Sequence, residues 1–440
     1  MNILKRGAGL ALALALTAAP AWAADAPKVD TGNTTWLLLS AALVMLMTPG
    51  LAFFYGGMVH RKNVVSTLLQ NYVALAIVGI AWVVIGYSLV FTEGSSLIGG
   101  TSQAMLKGLE TAMYGETGIP TLAFVAFQMM FAIITPALIT GAFAERVNFK
   151  AWLIIMLVWS LAVYVPVAHW VWGPDGWILK DGGLDFAGGL VVHITAGFSA
   201  LACGFLFGRR QADKSPTPND VPMIMLGAAL LWFGWFGFNA GSAITSGALA
   251  AYAFMNTFLA AAAAFLAWML LDWAIHGKPT AVGSSIGLVV GLVAITPAAG
   301  FVTIQSSLII GVVAAIICFF VAGLVKKITR LNDSLDVFAC HGVGGVCGAI
   351  MTGLYADKTV NSAVTVEGFF VSGEMGLLSA NVTGVIAVAA FSFIATIIIV
   401  KLVGIFVPIR VGVDAEGHGL DSTQHGEYAR VNAMNPYSMR

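Results

Sequence analysis

The chain has 440 residues, of which 59% are hydrophobic and 10% charged, with 50 glycines and equal numbers of acidic and basic side chains. That mix excludes a soluble domain with a polar surface, and zero net charge gives nucleic acid or an acidic polymer no role as partner. What is left is a chain that lives in lipid, with a small solute still open as its partner. Cys203, Cys318, Cys340 and Cys347 lie inside apolar segments without the spacing of a zinc site or a disulfide framework, and read as small buried residues.

The first 23 residues join a basic start (Lys5, Arg6) to an apolar stretch from Gly7 to Ala19 and the pattern Ala21-Trp22-Ala23. This is the layout of a secretory signal peptide, since the apolar part falls short of the roughly 20 residues a membrane span needs. Cleavage after 1–23 delivers a mature amino terminus across the membrane. Eleven apolar runs long enough to span follow, near 35–58, 64–91, 119–142, 151–172, 187–208, 221–243, 247–274, 280–298, 303–326, 335–355 and 379–408. The expected fold is therefore all-α and polytopic, with eleven transmembrane helices over 24–410 and a polar tail over 411–440. Arg61, Lys62, Arg146, Lys150, Arg209, Arg210, Lys214, Lys278, Lys326, Lys327 and Arg330 fall in every second connection; the others hold only Lys107, Lys180 and Lys358. Basic loops face the cytoplasm, so the mature amino terminus is outside, as a signal peptide requires, and the tail inside.

Two segments echo each other five spans apart. DFAGGLVVHITAG carries Asp185 and His193 in span five, and DVFACHGVGGVCG carries Asp336 and His341 in span ten; TPGLAFFYGG of span one is similarly echoed by FGWFGFNAGS of span six. An odd offset turns the second copy upside down. An inverted five-plus-five repeat of this kind places a substrate path at its pseudo-twofold interface near the bilayer midplane.

Ionisable groups within a span are costly unless paired or facing a polar path, which singles out His193 and His341. Set at the shared axis, they meet, share one proton between ring nitrogens and lay a polar line along an apolar pore; the plainer reading has each bond a backbone carbonyl separately. A metal would need a third ligand at suitable spacing, and HExxH is absent. Asp185, at the start of span five, is either a helix cap or the counter-charge of a cation at the pore mouth, and Asp336 is expected to cap span ten. Aromatic residues concentrate in AFQMMF (Phe127, Phe131), HWVW (Trp170, Trp172) and WFGWFGFNAGS. Ring faces attract a partly dehydrated cation by roughly 0.5–2 kcal/mol each, and Ser242 adds a hydroxyl acceptor. A cage with one acceptor suits ammonium, which donates hydrogen bonds that potassium cannot. Trp170 reads as an ordinary interfacial tryptophan.

These residues resemble the ammonium transporter family, of the bacterial Amt type related to the Rhesus proteins. TPGLAFFYGG, AFQMMF, GAFAERVNF, DFAGGLVVH, GWFGFNAGS, TPAAGF, DVFACHGVGG and, in the tail, GLDSTQHGE carry the resemblance over nearly the whole mature chain. It implies an eleven-helix subunit with inverted halves, a homotrimer in the bacterial inner membrane, and one pore per subunit. By the same resemblance Phe127, Phe131, Trp172 and Ser242 form an external recruitment site, Phe131 and Phe238 a stacked gate, and His193 and His341 the twin histidines. Asp185 matches an aspartate of largely architectural role, and Gln128, Tyr55, Tyr164, Trp235 and Thr296 match less central neighbours. The tail resembles the segment that couples subunits and supports docking of a PII-type signalling protein, although Glu427-Tyr428-Ala429-Arg430 departs from the usual order.

The expected function is ammonium transport, with ammonium losing its proton at the outer site and net charge moving. A neutral ammonia or carbon dioxide channel is the near alternative. An ammonium sensor signalling through its tail is the other, and it usually carries a larger cytoplasmic domain. No enzymatic motif stands out, no phosphate loop and no convincing serine triad, so neither an enzyme nor a cofactor is expected.

Overall fold

The computed structural model describes residues 28–210, 218–328 and 333–429. The expected signal peptide, 1–23, lies outside the described residues, as do Lys214 and Arg330 in the loops and Arg430 in the tail.

Among the described residues, ten helices are long and apolar enough to cross a membrane: α1 (Thr31–Met58), α2 (Arg61–Phe91), α3 (Thr121–Ala142), α4 (Phe149–Lys180), α5 (Gly189–Phe207), α6 (Val221–Ala240), α7 (Ala248–His276), α9 (Ile304–Val325), α10 (Phe338–Tyr355) and α11 (Gly376–Phe406). The eighth expected run is helical only over α8 (Ala281–Ile295). The shortening has a local cause: Pro297 cannot continue a helix, and the chain turns from Thr296 to Phe301 before Thr303 caps α9. The ends are set by capping side chains. Asp30 accepts from Asn33 N at 2.8 Å, Asp220 from Met223 N at 2.9 Å and Thr280 from Gly283 N at 2.9 Å. Between α2 and α3, a short hairpin pairs Met113–Tyr114 with Ile119–Pro120.

Small residues let the helices touch backbone to backbone, as lipid-embedded packing favours. Where α1 meets α6, a Cβ on Gly227 would lie 2.3 Å from Phe54 N. Where α5 meets α10, a Cβ on Gly197 would lie 2.0 Å from Gly342 N. Both contacts join elements that echo each other in sequence, one from each half. Ile80, Leu270, Ile386 and Ile405 stand exposed on the outer helix faces, where an apolar surface fits hydrocarbon and would be a liability in water.

Both α5 and α10 begin with six residues wound as a π turn, Gly189–Ile194 and Phe338–Val343, each carrying its histidine. Such wide turns are rare and concentrate at functional sites. The expectation that Asp336 caps α10 is corrected. The oxygen on the first N–H groups belongs to Asp333, whose Oδ2 accepts from Phe338 N at 2.6 Å. Asp336 has a positive φ of 57°, which aspartate tolerates better than most side chains, and its Oδ2 is held instead by Lys326 Nζ at 2.8 Å.

At the opposite end from the hairpin, the tail folds back on the α1–α2 connection. Leu420 N donates to Asn63 Oδ1 at 2.7 Å and Ser66 N to Asp421 Oδ1 at 2.8 Å. Gly419, with φ 106°, passes so near Lys62 that a Cβ would lie 2.6 Å from that residue's backbone oxygen. Beneath the tail, Glu145 accepts from His60 N at 2.7 Å and Asn63 Nδ2 at 3.0 Å and pairs with Arg210. Burial raises its carboxyl, and the His60 and Arg210 donors outweigh that and bring it below the usual carboxylate range.

Candidate functional site: aromatic rings, a small cavity and two histidines

The start of α5 is held by one side chain. Asp185 Oδ1 accepts from Gly188 N at 2.8 Å and Gly189 N at 2.6 Å, and Oδ2 from Leu190 N at 2.7 Å and Val191 N at 3.2 Å. Four N–H groups occupy both oxygens of a buried carboxylate. Burial pushes its carboxyl up, and the four N–H groups pull the other way. Gly188, at φ 119°, makes the turn that aims these N–H groups at one point.

The π turn that follows delivers His193 to the molecular interior, and its counterpart in α10 delivers His341. Their Nδ1 atoms lie 3.2 Å apart, both rings are buried, and the ring planes differ by 29°. Two neutral imidazoles in that contact hold one hydrogen between the Nδ1 atoms, one ring donating and the other accepting. His193 Nε2 lies 3.3 Å from Thr296 Oγ1, which accepts from Trp235 Nε1 at 2.9 Å and donates to Leu292 O at 2.7 Å. The turn that shortens α8 thus places a hydroxyl where it fixes one histidine and one tryptophan.

Both histidines line a cavity otherwise walled by apolar side chains, among them Met47, Leu51, Phe54, Ile134 and Leu138, in which the centre of a water-sized molecule has about 10 Å³ to move. That is room for a single small solute. Phe238, also in the wall, lies over His193 at 6.0 Å and against Phe131 at 4.2 Å between ring centroids. Above Phe131, the ring of Phe127 meets it edge-on at 4.9 Å and that of Trp172 at 6.0 Å. Trp172 is anchored by Nε1 on Asp185 O at 3.0 Å. Half-buried Ser242 donates to Phe238 O at 2.9 Å, which leaves its lone pairs for another donor.

The structure therefore gathers Phe127, Phe131, Trp172, Phe238, Trp235, Thr296, His193 and His341 into one linked set. Three expected neighbours sit to its sides. Tyr55 donates to Leu138 O at 2.9 Å, on the side of the cavity away from Phe238. Buried Gln128 and Tyr164 each keep an oxygen without a hydrogen-bond partner among the described residues. Trp170 donates to Leu97 O at 2.9 Å and packs on Phe391, away from the path. Two residues that sequence reasoning passed over stand out. Glu145 lies within GAFAERVNF, where nothing in the local order of residues signals its partners His60, Asn63 and Arg210. Asp333 was signalled only by being a second acid three residues ahead of Asp336.

A multi-pass helical membrane protein with a small apolar cavity lined by two histidines in its interior is the class that this fold and site define. Residues 35–430 match the model of the Ammonium Transporter Family. The chain is 48% identical to an ammonium transporter of Bacillus subtilis over 92% of its own length and 100% of that protein's. Among solved structures it resembles Mep2 of Candida albicans, with a TM-score of 0.84, 38% identity and 94% of each chain covered. It also resembles a sensor Amt protein, with a TM-score of 0.81, 28% identity and coverage of 90% of this chain and 98% of that one. The chain belongs to the ammonium transporter family.

Proposed function

We propose that the protein conducts ammonium, split into ammonia and a proton, through the path between the Phe131–Phe238 stack and the His193–His341 pair. The observation that carries the reading is the 3.2 Å contact between two buried imidazoles at the edge of an apolar cavity fit for one small molecule. An apolar wall rejects hydrated potassium, while a shared imidazole proton offers a donor and an acceptor to a solute that has both. In this reading Phe127, Trp172 and Ser242 gather the cation outside, Phe131 and Phe238 gate, and the histidines guide ammonia and relay the proton, so that charge moves.

The same reading puts the protein in a bacterial inner membrane, amino terminus outside and tail inside, as a homotrimer made after removal of a signal peptide. Lipid surrounds it, and a PII-type protein is the partner proposed for the inner face. That the tail lies against the first inner loop through Leu420 and Asp421 supports a route from tail to helices.

The test is the current carried by purified protein in liposomes on a solid support when ammonium is added, with potassium as control. A saturable ammonium current that potassium does not evoke is expected. Internal alkalinisation without current would replace the charge-moving reading with a neutral ammonia channel, and neither signal would favour the sensor.

A further inference from the structure

The inner start of α10 gathers ionisable groups for which the path described above has no use. Asp333 and Asp336 are 5% and 6% exposed. Each has one oxygen engaged, Asp333 Oδ2 by Phe338 N at 2.6 Å and Asp336 Oδ2 by Lys326 Nζ at 2.8 Å, and in each the Oδ1 has no hydrogen-bond partner among the described residues. Buried carboxylate oxygens with spare acceptor capacity are costly, and a small cation with several N–H groups is what satisfies them.

Two further observations point to the cation. The group already on Asp336 is an alkylammonium, brought by a lysine whose side chain is 62% exposed and therefore able to swing out. Asp336 and Lys326 also line a cavity of about 540 Å³ beside the inner ends of α7 and α9, shared with the rings of Trp268 and Phe319. Aromatic faces with an acceptor are the same chemistry as the outer cage. On its other side, the start of α10 lies beside Tyr55: a Cβ on Gly141 would meet both Val337 Cγ2, at 2.5 Å, and Tyr55 Cζ, at 2.9 Å, and Tyr55 bonds Leu138 O in the wall of the histidine cavity. The acid pair thus lies between a wide inner cavity and the near end of the path.

We propose that Asp333 and Asp336 form an inner ammonium site, with Lys326 as a tethered competitor for the same carboxylates. The inference rests on the transport reading. Ammonium leaving the path is held by the carboxylates as it regains water, and Lys326 replaces it as it departs; no bond beyond hydrogen bonds is made or broken. Burial, with Asp336 alongside, pushes the Asp333 carboxyl up to about 7. The ionisable groups around it are Tyr55, Arg146, Cys203, Lys326, Asp336 and Cys340. The site gains charge, and holds ammonium more tightly, as internal pH rises through that value.

The test uses the full chain in liposomes sorted for one orientation, with ammonium offered from either face and KM taken from the initial current. Asp336→Asn is expected to raise the inner-face KM by about tenfold and Lys326→Met to lower it severalfold. The outer-face KM stays put in both. Wild-type inner-face KM is expected to fall between pH 6 and 8, and less so in Asp336→Asn. Inner KM values that match wild type, or shifts of one sign in both variants, overturn the inference while leaving transport intact. A wild-type protein silent from both faces overturns the transport reading, and this inference with it.

Discussion

The starts of α5 and α10 occupy matching places in two inverted halves, yet they spend their carboxylates differently. At α5 one aspartate, Asp185, receives four backbone N–H groups and has no lone pair left to offer a solute. At α10 the cap has passed to Asp333, the matching Asp336 is held by a lysine, and two oxygens are without donors. A repeat can therefore keep its shape, a π turn carrying a histidine to the axis, while one copy gives its acid to architecture and the other keeps acid in reserve.

The largest expected effect tests what the halves share. Replacing His193 and His341 together by leucine should abolish selective ammonium current; undiminished uptake with potassium still excluded would remove the relay from the account. Next comes the contrast itself. Asp185→Asn puts an amide NH₂ against backbone N–H groups and should lower stability by about 3 kcal/mol, seen as an earlier thermal unfolding in detergent. Asp336→Asn should change it by less than about 1 kcal/mol, because Lys326 returns to solvent. Equal losses in the two variants would break the comparison. Trp172→Leu, outside, should raise the outer-face KM by roughly two- to thirtyfold, the value of one cation–π face, with the inner-face KM unmoved. The smallest effect belongs to Thr296→Val, which takes the hydroxyl from both Trp235 and His193. A loss of about 1 kcal/mol in stability and a reduced maximal current at unchanged KM are expected.

Much of this was legible in the amino-acid order. Span lengths and the placement of basic loops depend only on local composition, and ten of the eleven runs are long helices where hydropathy put them. The eighth run stopped short at Ile295 because hydropathy does not register Pro297, and the turn it makes is what brings Thr296 to His193. The meeting of the two histidines was open to inference because repeat symmetry converts one long-range contact into a matter of register. No such rule reached Asp333, whose capping of α10 depends on the positive φ of Asp336 between them. The roles of Glu145 and Gly419 likewise reside in contacts between loops, for which a single sequence carries no period.

The approach of Gly197 to Gly342 bears on how the path could ever be altered. A side chain there would meet main-chain nitrogen at 2.0 Å, so the spacing of the two imidazoles is gauged by backbone resting on backbone, as a machinist sets a gap with hard stops rather than springs. Selection for a larger solute would have to reshape the rings and the wall around a cavity whose two histidine-bearing helices cannot be moved closer, and can be moved apart only by losing the contact that aligns them.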